Sequence, residues 1–480
     1  MAKSNRYDNE KDKKNVVIKG ERIYLRTLTE DDANEEYAGW LNDNVVNQYL
    51  ETKKATVEEL RKYIKERYES KECIFLGIFL KKNDKHIGNI KLEPIDFENR
   101  IATMGMLIGD KNSWGKGFAT EALNILVDWS FKNLNLAEMD LGVMRENAAA
   151  IRVYEKSGFR VVRENEKAFT MSRKKLRLAL GTVQFGLDYG INNFKGKPSM
   201  EKSLEMLNKA YDVGIRIFDT AFAYGDAEDI LGEFITRRKL ENKIEVISKL
   251  KPNIIDEISG SIRENIVAAV KESLRRLKIK QLDGYLLHTP KYIYNNEVVA
   301  AMQFIKKQGF VRNIGVSIYD EEDAIYAAKS KVFDFIQVPY SVFDQRLDKT
   351  DFFEIARQNK VTVFARSAFV QGLIFMEEKN IPANLSHAAK YLKELDTIIG
   401  KCKLSRLQAS LLFSYLNKDF DYVVFGVDNI KQLEQDVQVV ENISKDAPRL
   451  DVCLKELKTH FANIEKSIIM PSLWKKDEKS

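Results

Sequence analysis

Four residues of this chain have the types that proton and hydride chemistry uses. Asp219 and Tyr224 lie in FDTAFAYGDAE, where an apolar run ends on a carboxylate and a phenol follows in a Gly-bearing loop. Lys249 ends the apolar part of VISKL, and His288 ends that of GYLLHTP. A phenol of pKa about 10 is a poor acid at neutral pH, but a nearby ammonium favours phenolate and lowers that value. A carboxylate keeps the ammonium charged and in place. Tyr224 then becomes a usable proton donor, and the His288 imidazole can hydrogen-bond a substrate carbonyl while a hydride reaches its carbon. The set fits carbonyl reduction by a nicotinamide.

These groups act together only if the fold gathers them. From Arg177 onward the apolar runs LALGTV, IRIFDTA, IEVISKL, DGYLLH, RNIGVSI, DFIQVPY, VTVFARS and YVVFGV recur, mostly separated by helical patterns. Strict alternation of this kind predicts a (β/α)8 TIM barrel over residues 176–470. Barrel enzymes carry their chemistry at the C-terminal ends of strands, and consecutive parallel strands are neighbours, so the four residues can converge. Two helices check by spacing. In SIRENIVAAVKESLRRL, Ile266, Val270, Ser273, Leu274 and Leu277 share a face, and Ser261 with Glu264 has capping-box spacing. In PSMEKSLEMLNKAYDVG, Leu204, Leu207 and Tyr211 form one stripe, with Ser199 to cap the start and Gly214 to close the end.

Through FDTAFAYGDAEDILGEF, ISKL, YLLH, IGVS and FARSAFVQGLI the C-terminal part resembles the aldo-keto reductase family. The resemblance implies that Asp219, Tyr224, Lys249 and His288 are catalytic and that NAD or NADP is the cofactor. Ser317 and Gln337 would hold the nicotinamide carboxamide, and Ser367 with Phe369 would line the pyrophosphate. Arg366 departs from the pattern, since many relatives stack a tyrosine on the nicotinamide there. It either sets a cation over the ring or faces substrate or solvent. After the eighth strand, Gly426, Val427, Asp428 and Gln432 fall where the family meets the cofactor's ribose end. Asp428 would repel an extra phosphate yet accept a ribose hydroxyl, so NADH is expected to serve at least comparably to NADPH.

The first part of the chain carries a second chemistry. Residues 16–165 read as a mixed α/β domain, and IGDKNSWGKGFATEALNILVDW sets a glycine-rich turn between a strand and a helix with Leu123, Leu126, Val127 and Phe131 on one face. Small residues there let backbone N–H groups approach an anion, and the helix N-terminus adds positive potential. In NAAAIRVYEKSGF, Asn147 opens a helix that carries Tyr154 and ends at Gly158. Together these segments resemble the GCN5-related N-acetyltransferases (GNAT). The resemblance implies acetyl-CoA, bound from Ile108 and cradled at its pyrophosphate by Trp114, Gly115, Lys116, Gly117, Phe118, Ala119 and Thr120. It also implies Asn147 on the pantetheine and Tyr154 as proton donor to the departing thiolate. Trp114 replaces the Gln or Arg that opens the pattern in many relatives. No general base stands out: His86, Glu93 and a water-mediated base remain open.

Composition bounds the rest. The 480 residues are 44% hydrophobic and 31% charged, ordinary for a soluble protein, with no apolar run long enough to cross a bilayer. The charged start, residues 1–15, reads as a flexible leader without a signal-peptide core, which leaves the cytoplasm as the expected compartment. Residues 166–175 read as a polar linker and 471–480 as a charged tail. Three cysteines and four histidines form no metal-type spacing, so no disulfide and no metal is expected. A net charge of +6 from 77 basic and 71 acidic residues, with no basic stripe, argues against nucleic acid. The expectation is a fused enzyme acting on small-molecule amines and carbonyls, in an amino-sugar or nucleotide-sugar setting for bacterial surface glycans, with oligomeric state open, a homo-oligomer included. The alternatives are a protein-modifying acetyltransferase with a binding or sensing barrel, and two unrelated activities joined in one chain.

Overall fold

The computed structural model describes residues 15–256 and 260–474; the charged leader and the end of the charged tail lie outside the described residues. The chain divides into two compact units, one ending at Lys175 and one starting at Leu176. In the first, β1 (Val17–Lys19), β2 (Ile23–Thr27), β3 (Ile74–Leu80), β4 (His86–Asp96), β5 (Ile101–Ile108), β6 (Glu138–Met144), β7 (Arg160–Glu164) and β8 (Ala168–Lys174) form one sheet in the order β1-β2-β3-β4-β5-β6-β8-β7. Side chains alternate across β3, so Leu76 and Ile78 join one core while Phe75 and Phe79 join another. The first core packs under helix Phe118–Asn133 through Leu123, Leu126 and Val127. The second packs under helices Glu35–Asn42 and Val57–Glu69 through Tyr37, Trp40, Leu60 and Ile64.

All neighbouring strands of this sheet are antiparallel except β5 and β6, which are parallel. They pair only at Ile101–Glu138, Ala102–Met139 and Thr103–Asp140. Beyond those pairs β5 continues to Ile108 and β6 to Met144, so residues 104–108 and 141–144 part and leave a cleft in the sheet.

The segment read as a linker, 166–175, is mostly strand. β8 lies between β6 and β7 and pairs on both edges. Its polarity has a structural cause. Met171 is fully buried, while Ser172 Oγ donates to Glu138 (2.5 Å) and Arg173 Nη1 donates to the Ser157 carbonyl (2.6 Å) at the end of helix Ala148–Lys156.

The second unit is a closed, all-parallel barrel of β9 (Leu178–Gly181), β10 (Ile217–Asp219), β11 (Glu245–Lys249), β12 (Leu282–Leu287), β13 (Val311–Ser317), β14 (Phe335–Pro339), β15 (Thr362–Arg366) and β16 (Tyr422–Phe425), with β16 pairing back to β9. The fold is thus a mixed α/β unit followed by a (β/α)8 barrel. Ala179, Ile217, Ile247, Leu286 and Phe364 fill the barrel interior, and a larger core lies between strands and helices. Helix Ile262–Leu277 buries the expected face, and Ser261 caps it by accepting from the Glu264 N–H.

Cys402 and Cys453, far apart in sequence, stand side by side, and burial followed by Cys402 pushes the Cys453 thiol up to about 12. Among the described residues no helix is long and apolar enough to cross a membrane, and no group of three His, Cys, Asp or Glu could hold a metal ion.

Candidate active sites

The barrel site begins with two adjacent strands that each end in a charge. Asp219 is the last residue of β10 and Lys249 the last of β11, and both are buried. Lys249 Nζ donates to Asp219 Oδ2 at 2.6 Å and to the Thr220 carbonyl at 3.1 Å. Gln337 on β14 donates to the other Asp219 oxygen at 2.5 Å, so one carboxylate joins three strands. Such a pair keeps its charges inside the protein only because the remaining lone pairs and protons are also satisfied.

Tyr224 and His288 complete the cluster. The Tyr224 ring lies edge-on to His288 with centroids 5.8 Å apart, and Lys249 Nζ is 5.3 Å from the Tyr224 centroid. The loop holding Tyr224 is fixed from two sides. Gly186 presses on its backbone, since a Cβ there would stand 1.6 Å from the Tyr224 carbonyl oxygen. Opposite, Arg276 donates to the Gly225 carbonyl and to Asp229 (2.8 Å), and its Nη1 lies 3.1 Å from the fully buried Glu228. Glu228 in turn accepts from Ser248, the neighbour of Lys249, at 2.6 Å.

The electrostatics correct one expectation. Tyr224 is not drawn toward phenolate: burial, then Asp219 and Tyr319, hold its pKa well above the ordinary phenol value, with Arg366 opposing. Asp219 neutralises the ammonium that was expected to lower it. Tyr224 is therefore a protonated phenol. Burial, then Lys249 and Arg366, push His288 down to about 3, so its imidazole is neutral, with Nδ1 buried and, among the described residues, without a hydrogen-bond partner. A neutral phenol and a neutral imidazole facing one space can hydrogen-bond a carbonyl oxygen and supply a proton to it.

The residues expected to meet the nicotinamide cofactor lie on or just after β13, β14, β15 and β16. Ser317, the last residue of β13, is in register with Gln337 on β14. Arg366 ends β15, with its guanidinium 4.6 Å from the Tyr319 ring centroid. Ser367 follows with φ +64, and the tight loop behind it packs Phe369 against Phe375 at 5.1 Å. Gly426 abuts Gln184, and Val427 is buried. The Asp428 N–H donates to Gln432 at 2.7 Å, beside the Asn429 cap of helix Ile430–Glu441. Sequence reasoning missed Gly186, Tyr319 and Arg276. None of them ends an apolar run, so strand-end polarity gave no sign of them.

The N-terminal site forms at the cleft between β5 and β6. Gly117 caps helix Phe118–Asn133 in a left-handed conformation (φ +80) that favours glycine. Among the described residues the N–H groups of Gly115, Lys116, Gly117, Phe118, Ala119 and Thr120 have no backbone carbonyl partner, which fits a pyrophosphate. Arg22 donates to the Lys116 carbonyl (2.8 Å) and pairs with Glu121 (2.9 Å), bracing the turn. Trp114 folds back, its indole donating to the Ile108 carbonyl at 2.8 Å. Ile108 is the last residue of β5 and pairs with Gly88 of β4. Asn147 caps its helix through Oδ1, which accepts from Ala150, so only its amide N–H groups are free for pantetheine. Tyr154 is buried, which pushes it up to about 12, and its hydroxyl makes no hydrogen bond among the described residues.

Both sequence candidates for the base are engaged by protein groups. His86 Nε2 meets two acceptors, Gly88 O (2.9 Å) and Asn89 Oδ1 (2.8 Å), which assigns the proton to that nitrogen. Its ring is stacked on Phe79 and edge-on to Trp40 and Tyr37, and burial lowers its pKa. Glu93 Oε2 is engaged by both Lys91 (2.6 Å) and Arg67 (3.1 Å).

Comparison with known proteins assigns a family to each unit. The aldo/keto reductase family model matches residues 177–453, and the acetyltransferase (GNAT) domain model matches residues 22–160. The "Probable N-acetyltransferase YjcK" of Bacillus subtilis (strain 168) is 36% identical over 32% of this chain and 89% of its own length. The "Uncharacterized oxidoreductase YqkF" of the same organism is 27% identical over 54% of this chain and 89% of its own length. The "NADH-specific methylglyoxal reductase" of Escherichia coli (strain K12) is 27% identical over 41% of this chain and 65% of its own length. Among solved structures, an aldo-keto reductase from Bacillus halodurans (holo form) aligns with 62% of this chain and 95% of its own, at TM-score 0.47 and 20% identity.

Proposed function

We propose, on the premise that this chain belongs to the aldo/keto reductase family through its barrel and to the GNAT acetyltransferase family through its N-terminal unit, that it is a bifunctional biosynthetic enzyme of the cytoplasm. One site acetylates an amine and the other reduces a carbonyl, both on small sugar-like molecules. The observation that carries the reductase half is the buried Lys249–Asp219 pair with Tyr224 and His288 around it. When bound, acetyl-CoA would supply the activated acetyl group and NADH the hydride.

Each residue then has a role. His288 donates a hydrogen bond to the carbonyl oxygen and orients it, and Tyr224 transfers its phenolic proton to that oxygen as negative charge develops there. Lys249, held by Asp219, stabilises the phenolate that remains. Ser317 and Gln337 orient the nicotinamide carboxamide, and the loop from Ser367 to Phe369 follows the pyrophosphate. In the N-terminal unit the turn from Trp114 to Thr120 holds the CoA phosphates, Ile108 and Asn147 meet the pantetheine, and Tyr154 returns a proton to the leaving thiolate. A water-mediated base accepts the proton of the amine, because both His86 and Glu93 are engaged elsewhere.

The sugar setting is supported by the pairing of the chemistries. Acetylation turns an amine into a neutral hydrogen-bonding amide, and reduction turns a planar carbonyl into a stereocentre; building deoxyamino sugars uses both. The Asp428–Gln432 pair favours NADH, because a carboxylate beside the ribose repels a 2′-phosphate. The name of the Escherichia coli relative is in keeping with that choice. A mass-spectrometric screen of free and nucleotide-linked amino sugars tests the proposal, first with acetyl-CoA and then with NADH or NADPH. Gain of one acetyl group and then of two hydrogens is expected, with NADH at least as effective as NADPH. Efficient acetylation of peptide N-termini or polyamines, with every amino sugar inert, would overturn the substrate class.

A further inference from the structure

The reductase reading leaves open what the carbonyl substrate carries, and one cation at the site bears on it. Lys249 is neutralised by Asp219, and Arg346, on the loop after β14, by Asp344 (2.8 Å) and Glu321 (3.0 Å). Arg366 is different. Its contacts among the described residues are the Ile318 carbonyl (2.6 Å), Ser367 Oγ (3.2 Å) and the Tyr319 ring, and no carboxylate pairs with it. Its Nε is buried and, among the described residues, has no hydrogen-bond partner. An unpaired, partly desolvated charge is costly unless a ligand completes it.

The position of Arg366 says which ligand. Arg366 is the last residue of β15, as Asp219 is of β10 and Lys249 of β11, so it stands at the same rim of the parallel barrel, and its charge opposes the upward shift of Tyr224 and helps to push His288 down. With Tyr224 and His288 neutral and Lys249 compensated, Arg366 is the uncompensated charge of this cluster. Tyr319 holds the guanidinium plane and the Ile318 carbonyl fixes one end of it. Beyond these two bonds each terminal nitrogen keeps a second N–H, and the planar, forked guanidinium suits a carboxylate or a phosphate.

We propose that Arg366 is the receptor for an anionic group, a carboxylate or phosphate, carried by the carbonyl substrate, and that it makes the reductase selective for acidic aldehydes and ketones. This rests on the reductase reading of the barrel. The other source of such an anion is the cofactor's own phosphate, and the two sources separate by experiment.

The test compares 4-carboxybenzaldehyde with 4-nitrobenzaldehyde as substrates of the full chain and of Arg366→Gln, with NADH binding followed by fluorescence. Benzoate binding to the NADH-loaded protein is measured by calorimetry. In Arg366→Gln the ratio of kcat/KM for the acid over the neutral aldehyde falls about 10-fold to 100-fold, the worth of one charge-assisted hydrogen-bonded pair, and benzoate affinity falls in step. Arg366→Lys, which keeps the charge but not the fork, recovers part of the loss. An unchanged ratio and unchanged benzoate affinity, with NADH affinity weakened, would assign Arg366 to the cofactor phosphate and overturn the proposal. If neither aldehyde is reduced by the wild type, the reductase reading fails on its own, and benzoate binding still decides whether Arg366 receives a carboxylate.

Discussion

Asp219 decides what its neighbours are. It holds Lys249 at 2.6 Å and accepts from Gln337, and, after burial, it is the next cause that keeps Tyr224 a protonated phenol. Tyr224 therefore waits as an acid, which is the state a proton donor needs. His288 has a measurable counterpart to this. Its folded pKa is depressed to about 3 by burial, then by Lys249 and Arg366, against about 6.5 in an unfolded chain. A depressed folded value means that the unfolded state binds more protons below about pH 6.5, so the stability is fully present above that pH and is lost as pH falls. The barrel's Tm is expected to drop from pH 7 to pH 5 more steeply in the wild type than in His288→Gln. Parallel Tm curves for the two proteins, followed by circular dichroism, would rule this out.

At the scale of elements, the loop that carries Tyr224 owes its position to a helix some 50 residues later in sequence. Arg276, 10% exposed in its side chain, ties helix Ile262–Leu277 to Gly225, Glu228 and Asp229. Arg276→Met leaves Glu228 buried and unpaired, an expected destabilisation of about 3–5 kcal/mol. In whatever fraction remains folded, kcat for carbonyl reduction should fall more than NADH affinity does, because the loop and not the cofactor loses its support. Equal losses in both, or an unchanged kcat, would mean that Arg276 does not position Tyr224.

The same clamp marks where sequence reasoning stops. The four strand-end residues were legible because a charge or ring that ends an apolar run is visible in one dimension, and so were the eight barrel strands. Arg276 sits among other charges on a helix, and nothing local distinguishes it. β8 was read as a linker because its polar residues bond across to Glu138 and to the end of a helix, pairings that sequence does not display. The β5–β6 cleft is a matter of register: three pairs and then divergence, with no residue type to announce it. The raised pKa of Tyr224 comes first from burial and then from Asp219, and neither the depth of a side chain nor its charged neighbours can be read from the segment FDTAFAYGDAE.

As a whole, the molecule holds two chemistries on two separately cored units. The clusters under the N-terminal sheet and those in and around the barrel have no residue in common. A change confined to one site should therefore leave the other unit folded and its reaction running. Tyr224→Phe removes the phenolic proton and little volume. Gly117→Asp puts a carboxylate, and a side chain at φ +80, where the CoA phosphates are expected, 3.3 Å from Arg22 at its Cβ.

The most direct measurement assays both variants for both reactions on the same preparations, acetyl transfer from acetyl-CoA and carbonyl-dependent oxidation of NADH. Tyr224→Phe should lose about 100-fold to 10,000-fold in reduction and keep acetyl transfer near the wild-type rate. Gly117→Asp should do the reverse, with a sharply raised apparent constant for acetyl-CoA and reduction intact. A variant that silences both reactions while both units remain folded, or reduction that survives in Tyr224→Phe, would contradict the account of two independent active sites on one chain.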